Sequence, residues 1–109
     1  MSKVVKIVVF VPKSHADVVR KAIGDAGAGK IGNYDYNTFS ITGMGRWRTL
    51  RGANPYIGKV GEISEEVEER IEFWCERSMA KTVIKEIKKV HPYEEVAIDI
   101  YPLILEEEL

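Results

Sequence analysis

The chain has 109 residues, of which 45% are hydrophobic and 30% charged, and its 16 basic and 17 acidic side chains leave a formal net charge of -1. That length fits one compact domain over residues 1–109 that buries about 60 to 70% of its unfolded surface. The near-neutral balance excludes a nonspecific binder of nucleic acid or of an anionic membrane.

The first segment, Val4 to Val11, is β-branched and apolar at nearly every position and stops at Pro12. It predicts a strand covered on at least one face. Its apolar run, Ile7 to Val11, is far too short to span a membrane, and Lys3 and Lys6 ahead of it lead to no cleavage site. Ser14 with Asp17 gives an S-x-x-D capping pattern. Val18, Val19, Ala22, Ile23 and Ala26 then recur at helical spacing up to Gly27, which predicts a first helix.

Tyr36 to Thr42 alternates and is rich in Thr, Phe and Ile, so a second strand is expected, closed by Gly43 and Gly45, with Arg46 to Leu50 as its hairpin partner. Arg51 to Gly61 has no period and carries Gly52, Asn54-Pro55, Gly58 and Gly61, the signature of a long structured loop. From Val67 to Cys75 polar and apolar residues alternate, which predicts a third strand. Ser78 stands where a helix cap is wanted, and Met79, Val83, Ile84, Ile87 and Val90 form one stripe of a second helix. Pro92 ends that helix by His91. Val96, Ile98 and Ile100 alternate into a last strand that Pro102 breaks.

The order βαββαβ predicts an α+β, ferredoxin-like sandwich: four antiparallel strands with two helices on one face. Trp74, Ala97 and Tyr101 fall on the other face, and an exposed aromatic sheet face invites self-association. The acidic run Glu106 to Glu108 reads as a solvated end.

Two nucleotide-binding patterns match by letter and fail by context. Gly27-x-Gly29-x-x-Gly32 has the dinucleotide spacing, and Gly24-x-x-x-x-Gly29-Lys30 lacks only the final hydroxyl of a P-loop, where Ile31 stands. A true phosphate loop opens a helix, whereas this one follows a helix and meets its negative dipole end. A glycine-rich C-cap is the better reading.

His91-Pro92-Tyr93-Glu94-Glu95 is the second polar cluster. A histidine there could titrate, move a proton or bind a metal with Glu94 and Glu95, completed by His15 if the fold or another subunit brings it close. The structural reading weighs more, because one histidine with adjacent carboxylates is an incomplete metal set. Cys75 is the single cysteine, which excludes an internal disulfide and a CxxC metal knuckle and leaves a cytoplasmic location as the expectation. It falls on the apolar side of its strand, as a buried inert thiol does. Arg46, Trp47, Arg48 and Arg51 form a basic aromatic cluster that could hold a phosphate, a carboxylate or a stacked base, or could meet Glu65, Glu66, Glu68 and Glu69 of a neighbouring subunit. No strand carries the aromatic platform of an RNA-recognition sheet.

Gly27-Ala28-Gly29-x-Ile31-Gly32-Asn33-Tyr34-Asp35, Gly43-x-Gly45, Gly52-Ala53-Asn54-Pro55-x-Ile57-Gly58 and His91-Pro92-Tyr93-Glu94-Glu95-x-Ala97-x-Asp99-Ile100-Tyr101-Pro102 closely resemble the inserted middle domain of the YqfO, or Nif-three-like, family. The resemblance implies a fold like those of PII and CutA and a tendency to oligomerise, with trimer favoured over dimer. In that family the outer domains carry the two-metal site, so the resemblance transfers neither that metal nor any hydrolase activity to this chain.

The expectation is therefore a free-standing oligomeric module with a regulatory or accessory role. It would bind a small ligand or a protein partner through Asn33, Tyr34, Arg46, Arg48, Asn54, His91, Tyr93, Glu94 and Glu95. No cofactor, nucleic acid or membrane partner is expected, and no nucleophile, base and oxyanion set is visible. The alternatives are a metal-binding protein or metal-dependent enzyme using His91 with Glu94 or Glu95, and a structural partner of a separate metal-binding polypeptide.

Overall fold

The computed structural model describes residues 3–109. Strand β1 (Val4–Pro12) leads through a 3-10 turn into helix α1 (Ala16–Asp25). Strands β2 (Phe39–Arg48) and β3 (Ile63–Glu76) follow, then helix α2 (Ala80–Val90) and strand β4 (Ile98–Pro102). The sheet order is β2-β3-β1-β4, with every adjacent pair antiparallel. This is the predicted βαββαβ sandwich.

Alternation decides which side each strand presents. Val5, Ile7, Val9 and Val11 of β1 join Ile71, Phe73 and Cys75 of β3 in the core beneath the helices. Ala16, Val19 and Ile23 of α1 and Ala80, Val83 and Ile87 of α2 cover them. Truncating a buried side chain such as Ile7 or Ile87 to Ala in a core of this kind costs about 2 to 5 kcal/mol. Arg20 of α1 reaches down to the β3 carboxylate Glu69 and out to Asp17, which ties the rim of the helix layer to the sheet.

The opposite sheet face carries Lys6, Phe10, Glu68, Arg70, Trp74 and Tyr101 by register, with Phe39 and Ile41 continuing it on β2. Ala97 joins that face next to Phe10, whose amide donates to the Ala97 carbonyl. Phe39, Ile41 and Tyr101 are exposed there.

Three local expectations change. The first concerns β2, which does not stop at Gly43 and fold back. It runs unbroken through Gly43 and Gly45 to Arg48 and pairs with β3 as far as Arg48↔Ile63. Arg46 to Leu50 therefore continues the strand instead of forming its hairpin partner. Since β1 last pairs at Pro12↔Glu68, residues 44–48 and 63–67 form a two-stranded ribbon beyond the sheet, and the molecule measures 48 × 25 × 23 Å.

The other two changes are caps. Ser14 Oγ is engaged with His15 Nδ1 at 2.8 Å and does not cap α1. Ser78 lies inside a 3-10 turn and makes no side-chain cap to α2. In both cases a tight turn leads the strand into the helix, with the cap residue's amide bonded three residues back.

At the other end of α1, Gly27 takes a positive φ of 94°, the left-handed C-cap that the glycine cluster predicts.

Candidate functional site

The site begins where α2 ends. Pro92 forbids helical geometry at His91, whose backbone turns extended (φ -82°, ψ 133°) and swings the imidazole under the sheet edge. There Nε2 lies 2.7 Å from the Phe10 carbonyl, and the Tyr93 amide donates to Nδ1 at 3.1 Å. A carbonyl only accepts and an amide only donates, so the ring must be the neutral tautomer with its proton on Nε2. Burial pushes the His91 pKa below its ordinary value, against smaller opposing effects of the Phe10 hydrogen bond and the Glu68 charge. His91 is thus a bracket between β1 and the segment after α2.

That bracket aims Tyr93. Its hydroxyl donates to Glu68 Oε2 at 2.8 Å. Burial, followed by this hydrogen bond to a carboxylate, raises the Tyr93 pKa far above the ordinary phenol value. Glu68 itself is only 9% exposed. It lies on the open face of β3, opposite Pro12 on one side and Gly43 on the other. Gly45 makes room for it: a Cβ at that position would clash with Glu68 Oε1. The glycine that the sequence offers as a turn is instead the floor of a carboxylate pocket.

The loop between β2 and β3 closes over this floor. Its ends are joined by a parallel bridge between Thr49 and Val60 and by the Gly61 amide on the Thr49 carbonyl at 2.8 Å. Its tip is held by the Asn54 amide, which donates to Glu94 Oε2 at 2.9 Å. Tyr56 meets His15 edge-on at 5.8 Å between centroids. Tyr93 sits between Trp47 and Tyr56, with ring centroids 5.6 and 6.3 Å away and planes inclined by 55° and 49°. The result is an open cleft of about 460 Å³, walled by Phe10, Trp47, Pro55, Tyr56, Tyr93 and Ala97, with Glu68 in its floor and Glu94 and Glu95 at its border.

Of the residues expected to bind a ligand, Tyr93, Glu94 and Glu95 line this cleft, and so do Arg46 and Arg48. Alternation along β2, however, sends the two arginine side chains toward the face opposite Trp47, where Arg46 Nε donates to Glu65 at 3.0 Å. The acidic partner considered for a neighbouring subunit is thus met within the chain. Asn54 contributes its backbone, and His91 supports from beneath.

Asn33 and Tyr34 lie elsewhere. Their loop closes on itself through the Ile31↔Tyr34 bridge and is held by Asn37, whose side-chain amide donates to the Gly29 and Tyr34 carbonyls. It joins the sheet at Trp74, which accepts the Gly29 amide. Six residues of β3, about 20 Å, separate that point from Glu68.

Among the described residues no three His, Cys, Asp or Glu side chains are grouped to hold a metal ion. Both nitrogens of His91 are already engaged, so a metal could take one only by breaking a buried hydrogen bond. These residues do not fit a metal centre. Cys75 is buried, and burial first, then Glu76, pushes its thiol up to about 11. No helix among the described residues is long and apolar enough to cross a membrane.

No protein-family model matches the chain. Curated relatives do. The "GTP cyclohydrolase 1 type 2 homolog" of Bacillus subtilis is 49% identical over 98 residues, covering 90% of this chain and 26% of that protein. The protein of the same name from Halalkalibacterium halodurans is 48% identical over 103 residues, covering 94% of this chain and 28% of its own. A solved Bacillus cereus protein related to NIF3 superposes with a TM-score of 0.83 at 46% identity, over 95% of this chain and 26% of that one. The chain is a homologue of one segment of the Nif-three-like (YqfO) proteins.

It spans about a quarter of the length of the curated relatives it matches. The cyclohydrolase name belongs to those longer proteins. The fold also matches CutA1 from Shewanella sp. SIB1, with a TM-score of 0.72 at 13% identity over 95% of this chain and 84% of that one. At that identity the likeness concerns architecture alone. The PII/CutA-like, ferredoxin-type expectation for the fold holds.

Proposed function

We propose that residues 1–109 act as one self-associating module that binds a small ligand in the cleft beneath the 49–62 loop and serves a regulatory or accessory role. The observation that carries this reading is the convergence of three separated segments on one cleft with a buried carboxylate in its floor. Strands β2 and β3 supply Trp47 and Glu68, the loop supplies Tyr56, and the turn after α2 supplies Tyr93. A buried carboxylate and three tilted rings around an open cavity are costly to assemble for stability alone, and such concave, mostly apolar sites with a few polar groups are where small ligands bind. No activated nucleophile stands among these residues, which favours binding over catalysis.

Self-association is supported by the open sheet face, where Phe39 is 63% and Ile41 52% exposed. A patch of this kind marks a protein-protein surface. Its occupant would be a second copy of the chain, in a trimer by analogy of fold, and the cytoplasm is the compartment that a single unpaired cysteine suits.

Native mass spectrometry of untagged protein, purified without chelator, tests the proposal. A homo-oligomer carrying a defined extra mass supports it. A clean ligand-free monomer counts against both parts, and a ligand-free oligomer favours a structural role beside a separate polypeptide.

A further inference from the structure

We propose that the cleft selects a small alkylated ammonium compound, its cationic nitrogen held between the Glu68 carboxylate and the rings of Trp47, Tyr56 and Tyr93. The inference rests on the cleft being the ligand site, and it adds the chemical class of the ligand.

The sign of the charge comes first. Glu68 takes one hydrogen bond, from the neutral Tyr93 hydroxyl on Oε2, and no donor among the described residues reaches Oε1. A carboxylate this buried, with one neutral donor and no counterion, is left undercompensated. The nearby cations are paired or directed elsewhere: Arg48, in no ion pair among the described residues, is sent by strand alternation to the face opposite Trp47. Arg46 pairs with Glu65, and Arg70 lies over the Phe10 ring at 5.9 Å with its Nε 3.5 Å from Glu72. Glu66 shares the Glu68 face of β3, Glu94 and Glu95 border the cleft, and none of these is in an ion pair among the described residues. The interior is electronegative, and a cation is the occupant that balances it.

The rings point the same way. An aromatic face attracts a cation through its quadrupole and repels an anion. Trp47, Tyr93 and Tyr56 are inclined to each other rather than stacked, which leaves ring faces free for a ligand.

The type of cation follows from the count of acceptors. A primary ammonium brings three N–H donors that need partners. At its buried floor the cleft offers one free carboxylate oxygen, that of Glu68, on a largely aromatic and aliphatic wall, while Glu94 and Glu95 stand at the border. Each alkyl group removes one such demand, a quaternary nitrogen has none, and alkylation lowers the cost of leaving water.

Choline chloride is the probe, with 3,3-dimethylbutan-1-ol as its uncharged isostere, each titrated into the full chain while Trp fluorescence is followed. Choline is expected to give a saturable change, with the isostere at least about tenfold weaker. Glu68→Gln keeps an acceptor for Tyr93 and should weaken choline by a similar factor. Tyr56→Leu alters only the exposed loop and should weaken it by several-fold. Matching urea midpoints for the variants and the parent would show that the fold is retained. Equal binding of choline and the isostere, indifferent to Glu68→Gln, would overturn the cation inference while leaving the cleft a ligand site. Binding of neither probe would overturn the ammonium inference, while the native mass spectrum of the same protein separately decides whether the chain carries a ligand.

Discussion

His91 is the residue whose removal tests the architecture of the site most sharply. Its ring satisfies the Phe10 carbonyl and the Tyr93 amide at once, in a position only 7% exposed. His91→Ala leaves both groups without a partner. Each buried unsatisfied group costs about 1 to 3 kcal/mol, so the expected loss is about 2 to 6 kcal/mol. That is a large fraction of the roughly 5 to 15 kcal/mol that stabilises a typical domain.

The same geometry sets a pH dependence. The folded state holds His91 neutral and depresses its pKa, so the unfolded chain binds the proton more readily. The stabilisation is fully present above the unfolded pKa of about 6.5 and is lost as pH falls below it toward the lower folded value, by up to about 1.4 kcal/mol per pH unit. Urea unfolding at pH 7.5, 6.5 and about 5.5, above the range where carboxylates dominate, would measure this. His91→Gln should flatten the slope. An unchanged slope in His91→Gln, or wild-type stability that rises toward pH 5.5, would refute the assignment of a neutral, doubly bonded imidazole.

Further predictions follow from other contacts. Gly45→Ala would place a methyl on Glu68 Oε1, so the carboxylate must leave Tyr93; a destabilisation of about 1 to 3 kcal/mol is expected, and spectrophotometric titration should show the Tyr93 phenol moving down toward its ordinary value. Cys75, buried and with its thiol pushed up to about 11, should resist iodoacetamide at pH 8 in the folded protein and react freely in urea. Rapid labelling under native conditions would contradict its placement under the helices. Ile41→Lys on the open sheet face should lower the oligomeric state seen by analytical ultracentrifugation while leaving the urea midpoint of the monomer within about 0.5 kcal/mol of the parent; an unaltered oligomer would place the interface elsewhere.

The framework of the fold was legible because its signals are local. Val4 to Val11, the two amphipathic stripes and the alternation before Cys75 each carry their own period, and Pro12, Gly27 and Pro92 punctuate them. Where expectation and structure part, a nonlocal contact outweighs the local rule. Gly43 and Gly45 read as the end of a strand, yet β2 continues through them, and at Gly45 the missing side chain serves a carboxylate from the neighbouring strand. Ser14 and Ser78 are good caps by type, but 3-10 turns already join strand to helix in the space available.

The site was half visible. His91-Pro92-Tyr93-Glu94 stands out because a proline after a helix forces a sharp exit, and the structure uses that exit to seat the histidine and aim the tyrosine. Glu68 has no mark of its own among Glu65, Glu66 and Glu69; only the register with Pro12 and Gly43 shows it to be the buried one. Tyr56 sits in an aperiodic loop whose fold depends on a backbone amide, that of Asn54, meeting Glu94 from forty residues away. Parity along β2 was readable and would have separated Trp47 from Arg46 and Arg48, had the strand been expected to run that far. Asn33 and Tyr34 belong to a separate motif of the same family resemblance and close a loop at the other end of the sheet.

The most direct measurement is of the indole N–H resonances of Trp47 and Trp74 in a two-dimensional NMR spectrum of the full chain, titrated with a panel of small metabolites. Trp47 lines the cleft and Trp74 lies at the opposite end of the sheet. The account predicts at least one compound that shifts the Trp47 signal saturably while Trp74 stays fixed, an effect abolished by Tyr93→Ala. A panel that moves only Trp74, or neither, would contradict the assignment of this cleft as the ligand site.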